Sequence, residues 1–377
     1  TAKVHLGWRL GDIAPGTFVR IDGETGLWRV GQWTLDRMVM SLDLVRVQTG
    51  QIAASAVASE GRPIGHPDLL HGPTTLRLLE LPLGSEPRRD RPYLLPAAGG
   101  VQLGWRRAAL MTSYDGGASW QEAGPTASPA VMGTAVTALG TGGSALFDET
   151  RAVEVELLND AMWLEGRSDE ALLSGANLAV LGEELIQFGV AKPIGDRRFR
   201  LSRLLRGRRG TEWAAAAHAS GEAFTLLDAP SLAVIEPPLS LLGGEVLLTA
   251  TALGAPRSVI ASRTLTGEAV RPPAPVHLTA AWTGGGDLAI GWVRRSRVGW
   301  TWLSGTDTPV GEESESYSLV ISGAGRTRTV TLAEPLYLYS AAEQAADNMT
   351  GDIEVNVRQL GTFVPSRSTV LVVPARS

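Results

Sequence analysis

The sequence contains no cysteine, and its 377 residues include no long uninterrupted apolar run. Without cysteine, disulfides and thiolate metal sites are excluded, so stability must come from packing or from assembly with other subunits. The most apolar stretch, "LSLLGGEVLLTATALG", is broken by glycines and by Glu245, so we expect no membrane span. The chain starts at Thr1 without a signal-peptide pattern, and we interpret it as a cut or processed chain.

Glycine and proline are abundant, with 44 and 22 residues, and they separate many short apolar runs. This pattern is typical of strands joined by turns. We therefore predict an all-β protein with three parts. Residues 1–58 would form the strands of a partial β-barrel, 59–265 a long middle β-domain with two short helices, and 266–377 a β-sandwich.

Local patterns place several of these elements. In the first part, strands with one buried face are predicted around six apolar residues: Phe18, Trp28, Val30, Val39, Leu42 and Val45. A barrel needs further strands to close, which were removed or come from elsewhere. Ser168 is predicted to cap a helix in "SDEALLSG", and Thr211 to precede one in "TEWAAAAHASG". Ser340 and Glu343 predict a capping box.

The segment "SYDGGASW" matches the Asp-box pattern S-x-D-x-G-x-[ST]-W of sialidase propellers. Asp115 can accept hydrogen bonds from turn amides, Gly117 can adopt a positive φ, and Trp120 can pack beneath the hairpin. A propeller would repeat the box every forty to fifty residues, and this sequence has it once. The motif therefore predicts a structural turn rather than an active site.

The sequence offers no convincing catalytic residues. The five histidines are not spaced as zinc ligands, and neither a nucleophile elbow nor a phosphate-binding loop is present. Glu154 and Glu156 point to the same side of a strand, but the alternation of "VEVEL" makes that side the solvated one. We predict no catalytic residue, no cofactor and no metal, and we expect that the protein is not an enzyme.

Two tryptophans, Trp300 and Trp302, lie on the same side of a loop in "VGWTWLSG". Such a pair can stack on sugar rings or anchor a partner. It can also simply cover one end of a sandwich core, which is the more common use of such residues. Both alternatives stay open, and the pair is the candidate contact with a receptor or glycan.

Seven arginines fall among the thirteen residues from 197 to 209, although the chain has a net charge of -5. The alternation in "FRLSRL" sends Phe199 and Leu201 inward and Arg200 outward. A nucleic-acid site would show basic and aromatic residues elsewhere too, so direct nucleic-acid binding is not expected. We predict a structural or intersubunit clamp, formed by four residues: Arg206, Arg208, Arg209 and His218.

The block from 178 to 228 resembles a known family. Read as E-L-I-Q-F, then R-L-S-x-L-L-R-G-x-x-G-T, then H-x-x-G-E, it is similar to the large tail-tip "megatron" proteins of gene transfer agents and related siphophages. The resemblance spans most of residues 55–377, and "EAVRPPAPVHLTAA" resembles the C-terminal end of these proteins. The last part is similar to fibronectin type III modules, with Trp292 in the second strand and Tyr317 in the third.

The resemblance implies a baseplate hub component of the virion tail tip, assembled in the bacterial cytoplasm. Its expected partners are sister copies in a homotrimer, the distal tail protein, other hub or fibre proteins, and a host cell-surface glycan or receptor. The first fifty residues would belong to a hub-type barrel. The competing interpretation, based on the Asp box and the two tryptophans, is a carbohydrate-binding accessory module of a glycan-degrading protein.

Overall fold

A computed structural model of the protein describes residues 1–7, 9, 12–47, 71–83, 91–216, 218–252, 257–300 and 307–376. The chain divides into two units, Thr1–Asp68 and Leu69–Ser377. The predicted boundary near residue 58 lies outside the described residues. Strands and turns make up nearly all of the described parts, which confirms the all-β class.

The first unit contains a four-stranded antiparallel sheet. Its strands are β1 (Ala2–Gly7), β2 (Phe18–Val19), β3 (Leu27–Asp36) and β4 (Val39–Val47), in the order β1-β4-β3-β2. Its buried residues are Trp28, Val30, Met40, Leu42 and Leu44. Side chains alternate between the faces of a strand, so burial of Leu42 turns Val39 and Val45 outward. The prediction that these two valines and Phe18 share the buried face is therefore wrong.

The second unit begins with the middle β-domain. Its strands are β5 (Thr74–Leu79), β6 (Leu95–Gly100), β7 (Ala108–Ser113), β8 (Gln121–Pro125), β9 (Met132–Ala135), β10 (Asp148–Leu157), β11 (Leu178–Leu181), β12 (Glu184–Gly195), β13 (Arg198–Leu205), β14 (Ala223–Leu226), β15 (Glu245–Ala252) and β16 (Val259–Thr264). β5 pairs with β6, and a sheet has the order β16-β15-β7-β8. The six remaining strands close a barrel in the order β10-β13-β12-β11-β14-β9.

The barrel has an apolar interior that fixes the direction of its side chains. Its buried residues include Val153, Val155, Ile186, Phe188, Leu201 and Phe224. On β13, Phe199 and Leu201 point inward and Arg200 points outward, as predicted. The start of β12, from 184 to 189, is buried on both sides, because Leu185 packs into a second apolar cluster outside the barrel. Polar residues at the start of β12 therefore need partners inside the protein.

The predicted helix after Ser168 is confirmed as α1 (Asp169–Leu173). The hydroxyl of Ser168 accepts a hydrogen bond from the Ala171 amide, which satisfies one of the free amides of the first turn. The chain leaves the helix through Gly175 with φ +97°. A glycine adopts this left-handed conformation without steric cost, and it ends the helix there.

The second predicted helix is not an α-helix. The chain forms two single 3₁₀ turns instead, Arg208–Gly210 and Glu212–Ala214. Thr211 does not cap a helix, because its hydroxyl accepts from the Leu185 amide at 2.9 Å and donates to the Arg208 carbonyl at 2.8 Å. These tertiary hydrogen bonds use the group that would have capped the first helical turn.

The C-terminal part is a fibronectin type III-like β-sandwich. Its elements are β17 (Val276–Trp282), β18 (Leu288–Val293), β19 (Tyr317–Gly323), β20 (Arg326–Leu332), β21 (Leu336–Tyr339), α2 (Ala341–Ala346), β22 (Ile353–Gln359) and β23 (Thr369–Val373). One sheet has the order β17-β18-β21 and the other β20-β19-β22-β23. Between them, the rings of Trp292 and Tyr317 meet edge to face at 5.2 Å. Both residues therefore occupy the core of the second and third strands, as predicted.

The predicted capping box at α2 is confirmed. Ser340 accepts from the Glu343 amide, and Glu343 accepts from the Ser340 amide at 2.9 Å. The two α-helices of the described ranges have five and six residues. Neither is long enough to cross a membrane.

Candidate functional site at the arginine turn

Four arginines of the basic stretch lie on the outside of the barrel, where carboxylates of other segments neutralise them. The pairs are Arg198–Glu156 at 2.9 Å, Arg200–Glu154 at 3.6 Å, Arg197–Glu156 at 3.1 Å and Arg203–Asp169 at 2.7 Å. Glu154 and Glu156 face these arginines because β10 and β13 pair in antiparallel register. Each exposed pair contributes about 0–1 kcal/mol. Together they leave little unbalanced positive charge on this face.

Arg206 points into the end of the barrel and is fully buried, with 0% of its side chain exposed. Its Nε donates to Oε1 of Glu184 at 2.9 Å, and its Nη2 donates to Oε2 at 2.8 Å. Further hydrogen bonds reach the carbonyls of Gly140 at 2.9 Å and Ala215 at 3.1 Å. The amide of Gly207 also donates to Glu184, at 2.6 Å. Arg206 thus ties its own turn and two other segments, those of Gly140 and Ala215, to the start of β12.

His218 completes this buried network. Its Nε2 lies 2.6 Å from Oε2 of Glu184, and its Nδ1 lies 2.6 Å from Oε2 of Glu222. Carboxylates only accept, so a ring that satisfies both contacts donates from both nitrogens and is positively charged. Burial opposes this charge, but the hydrogen bonds and charges of Glu184 and Glu222 outweigh burial and raise the pKa of His218.

Glu184 is the shared acceptor of the network. Its burial favours the neutral acid, yet hydrogen bonds from His218 and Arg206 and the charge of Arg206 keep its pKa below the ordinary value. A buried carboxylate stays ionised when cations and donors surround it in this way. The result is a compact ion cluster of Arg206, Glu184, His218 and Glu222, which we call the buried clamp, and its role in stability stays a prediction.

Three sequence motifs meet at this cluster. Glu184 begins E-L-I-Q-F, Arg206 lies in R-L-L-R-G-x-x-G-T, and His218 and Glu222 are the polar residues of H-x-x-G-E. The first and last are separated in sequence by β13 and the 3₁₀ turns, and the barrel pairing brings them within hydrogen-bond distance. The block that carries the family resemblance is therefore one physical site.

The side chains of Arg208 and Arg209 line a cavity that contains no residue of the ion cluster. Nε of Arg208 donates to Oε1 of Gln187 at 2.7 Å, and neither arginine forms an ion pair with any residue that the structure describes. Burial lowers the pKa of Arg208, and burial together with the neighbouring charge of Arg208 lowers that of Arg209. Arg209 also has φ +56°, the left-handed region that favours glycine. These two arginines are not part of the buried clamp.

The structure brings Trp300 to these arginines. Trp300 is 36% exposed, and its Nε1 donates to the Arg297 carbonyl at 2.9 Å. A cavity of 280 Å³ is lined by Trp300, Arg208, Arg209, Gln187, Ser174 and Leu173, among others. Trp302 lies outside the described residues. The tryptophan and arginine candidates, predicted for separate roles, thus share one cavity.

A second cavity of 440 Å³ lies between the arginine turn and the sandwich. Trp213 lies beside it, with the guanidinium of Arg367 over its ring at 3.6 Å. Glu268 accepts from Arg367 and from Arg271, each at 2.8 Å. No local pattern predicts this group, because its members come from three segments that are distant along the chain.

The Asp-box residues form a turn between β7 and β8, as predicted. Asp115 accepts from the Ser119 amide at 2.9 Å and from the Ser119 hydroxyl at 2.5 Å, and the Ser113 hydroxyl donates to it at 2.7 Å. These hydrogen bonds, the Ser119 hydroxyl first, lower the pKa of Asp115. Gly117 has φ +94°, and a Cβ there would lie 3.7 Å from the partly buried ring of Trp120. The loop is held by its own polar groups.

Comparison with known proteins gives one family match. A family described as Rcc01698-like, C-terminal, matches residues 130–225. The matched region starts just before β9 and ends within β14, so it coincides with the closed barrel and contains the whole ion cluster. No curated protein matches.

Among solved structures, the similarities are weak. The rat CD45 extracellular region, domains d3-d4, has a TM-score of 0.21 and 10% identity, covering 34% of this chain and 63% of that one. A two-domain fibronectin type III segment of chicken tenascin has a TM-score of 0.22 and 9% identity, covering 64% and 99%. The FN1-FN3 domains of chicken CNTN1 have a TM-score of 0.21 and 10% identity, covering 81% and 99%. The chain thus spans less than two thirds of the CD45 segment.

Proposed function

We propose that this protein is a structural component of a phage-like tail tip, a baseplate hub protein of the kind found in gene transfer agents. The observation that carries the proposal is the Rcc01698-like match, a family name associated with gene transfer agents, on the barrel of residues 130–225. The block from 178 to 228, which resembles tail-tip proteins, supplies the buried clamp of the same barrel. The resemblance and the family match therefore fall on the same barrel.

In this proposal the protein works by assembly and binding rather than by catalysis. Sister copies around the tail axis, the distal tail protein and other hub or fibre proteins are its partners, and the virion tail tip is its location. The clamp of Arg206 and Glu184 suits this role, because a satisfied buried network fixes one arrangement of the barrel. A fixed barrel can transmit its geometry to neighbouring subunits.

Immunogold labelling of purified particles tests the location. Antibodies against the chain, used on particles from the strain that encodes it, should label the tail end distal to the head. A particle reconstruction should then show three copies around the tail axis. Label on the head, or particles that lack the chain and still carry complete tail tips, would contradict the proposal.

A second candidate function is a carbohydrate-binding accessory module. The observation that favours it is the position of Trp300 in one cavity with Arg208 and Arg209. A glycan array with the purified chain, run beside a Trp300→Ala variant, separates the two functions. Saturable, Trp300-dependent binding by a chain that is absent from particles supports the module alone, whereas binding by a chain at the tail tip supports both.

A further inference from the structure

The cavity beside Arg208 and Arg209 carries unbalanced positive charge. Among the residues that the structure describes, its lining contains these two arginines and no acidic residue. Arg208 has a neutral partner, Gln187, and Arg209 has no hydrogen bond or ion pair with a described residue. Two partly buried cations that repel one another are unfavourable unless an anion offsets them.

The 440 Å³ cavity provides the contrast within the same protein. Arg271 and Arg367, which line it, both reach Glu268 at 2.8 Å, and Glu212 lines it too. The guanidinium of Arg367 is also stacked on Trp213. Arg271 and Arg367 are thus each paired with a carboxylate, whereas Arg208 and Arg209 have no carboxylate partner among the described residues, although Arg209 lines both cavities.

The backbone of Arg209 is a second, independent signal. Its φ of +56° lies in the left-handed region, which is sterically unfavourable for a residue with a Cβ and which glycine adopts freely. Gly207 and Gly210 flank it with φ +56° and +89°, so this turn uses glycine wherever the backbone alone decides. A non-glycine residue in this conformation is strained, and strain of this kind is found at ligand-binding sites, although Arg197 and Arg203 of the same stretch share it.

The third signal is the aromatic ring in the same cavity. Trp300 is partly exposed, and an amphipathic ring of this kind can pack against the apolar face of a sugar. The cavity volume of 280 Å³ is near the lower end of the range for small-molecule sites, roughly 300–1,000 Å³. It therefore suits one sugar unit better than a long stretch of polymer.

We propose that this cavity binds a carboxylate-bearing sugar, such as a uronic acid of a cell-surface polysaccharide. The sugar ring packs against Trp300, and its carboxylate accepts charge-assisted hydrogen bonds from Arg208 and Arg209. Arginine suits this task because its planar donors match both carboxylate oxygens. The site does not depend on the tail-tip role, since the isolated chain contains all of it.

A nucleic-acid phosphate is the rival anion, and the surrounding charge disfavours it. A nucleic-acid groove needs several cations along its length. The neighbouring arginines of the stretch are already paired, Arg200 with Glu154 and Arg203 with Asp169. Of the seven arginines of the stretch, only Arg208 and Arg209 lack a carboxylate partner among the described residues, which is too few for such a groove.

The test is calorimetric titration of the full chain with galacturonic acid oligomers. The same oligomers with methyl-esterified carboxyls are the matched neutral ligand, and a short single-stranded DNA is the rival ligand. Arg209→Gly is the key variant, because it removes the guanidinium and relieves the left-handed backbone, so the fold is retained. Trp300→Ala removes the ring. Arg200→Ala and Trp33→Ala are controls that lie outside the cavity.

We expect saturable binding of the acidic oligomers, weakened by added salt, and at least tenfold weaker binding of the esters. Arg209→Gly should lower the affinity about tenfold to a hundredfold without lowering the melting temperature, and both controls should bind like the parent chain. Equal binding of acid and ester, unchanged affinity in Arg209→Gly, or Arg209-dependent binding of DNA alone would overturn the proposal. Absence of binding to uronic acid oligomers at millimolar concentration would also overturn it. The particle labelling above is unaffected by any of these results.

Discussion

Replacement of Arg206 by alanine should destabilise the barrel more than any other single arginine change in the stretch. Arg206 is fully buried, and its removal leaves Glu184 buried without its main cation. Breaking such a pair from one side costs about 3–5 kcal/mol. Replacing Arg200, which is half exposed and lies 3.6 Å from Glu154, should cost less than about 1 kcal/mol. Both variants replace an arginine on or directly after β13 by alanine, so they differ mainly in how deeply the arginine is buried.

Hydrogen exchange measured by mass spectrometry suits this prediction, because the chain has more than one unit and a global unfolding curve would mix them. Peptides from β12 and β13 should exchange more than a hundredfold faster in Arg206→Ala, which corresponds to about 3 kcal/mol. In Arg200→Ala the same peptides should change less than about fivefold. Peptides from β3 and β4, in the other unit, should not change in either variant.

A double variant isolates the pair itself. Arg206→Met with Glu184→Gln removes both charges and keeps an acceptor for the Gly207 amide. The double variant should lose less protection from hydrogen exchange than Arg206→Met and Glu184→Gln lose together as single variants. The reason is that neither Arg206 nor Glu184 is left charged without its partner. Additive losses, or an Arg206→Ala variant no worse than Arg200→Ala, would refute the assignment of Arg206 and Glu184 as the barrel clamp.

Three further changes test other parts of the fold. The pKa of His218 is raised from 6.5, so His218 stabilises the barrel fully below pH 6.5 and less as pH rises through the raised pKa. The pKa of Glu184 is lowered from 4.5, so its stabilisation is present above pH 4.5 and is lost as pH falls through the lowered pKa. Hydrogen exchange of β12, corrected for its intrinsic pH dependence, should therefore accelerate at both low and high pH. His218→Asn should remove the acceleration at high pH. Ser340→Ala should cost the sandwich about 1 kcal/mol, measured by hydrogen exchange of α2 and β22. Gly133→Ala should destabilise the barrel by about 1–3 kcal/mol in hydrogen exchange of β9, because a Cβ would overlap the Glu156 carbonyl oxygen.

The parts of the fold that could be predicted are those decided within a few residues. The alternation of "FRLSRL" gave the inward direction of Phe199 and the outward direction of Arg200. Ser168 and Ser340 cap their helices through groups three positions away. The Asp-box turn is closed by hydrogen bonds between Ser113, Asp115 and Ser119. In each case the atoms that decide the structure are adjacent in the sequence.

The parts that could not be predicted depend on pairing across the barrel. Glu184 and Arg206 lie at the two ends of the β12–β13 hairpin, and the pairing of β11 with both β12 and β14 brings His218 to the same carboxylate. The failed helix has the same origin, because Thr211 bonds to Leu185 instead of capping. A register between distant strands follows from burial of whole faces, which a local pattern does not encode.

The turn after β13 separates the arginines into two sets with different consequences. Gly207 has φ +56°, and a Cβ there would lie 2.7 Å from the Cα of Glu212, so this reversal requires glycine. The reversal leaves Arg206 inside the barrel end and carries Arg208 and Arg209 to the cavity of Trp300. Stability and binding are therefore separable within four residues. Arg206→Ala should weaken the barrel. Arg209→Gly should weaken only the ligand contact, because glycine adopts the left-handed backbone conformation of residue 209 without strain.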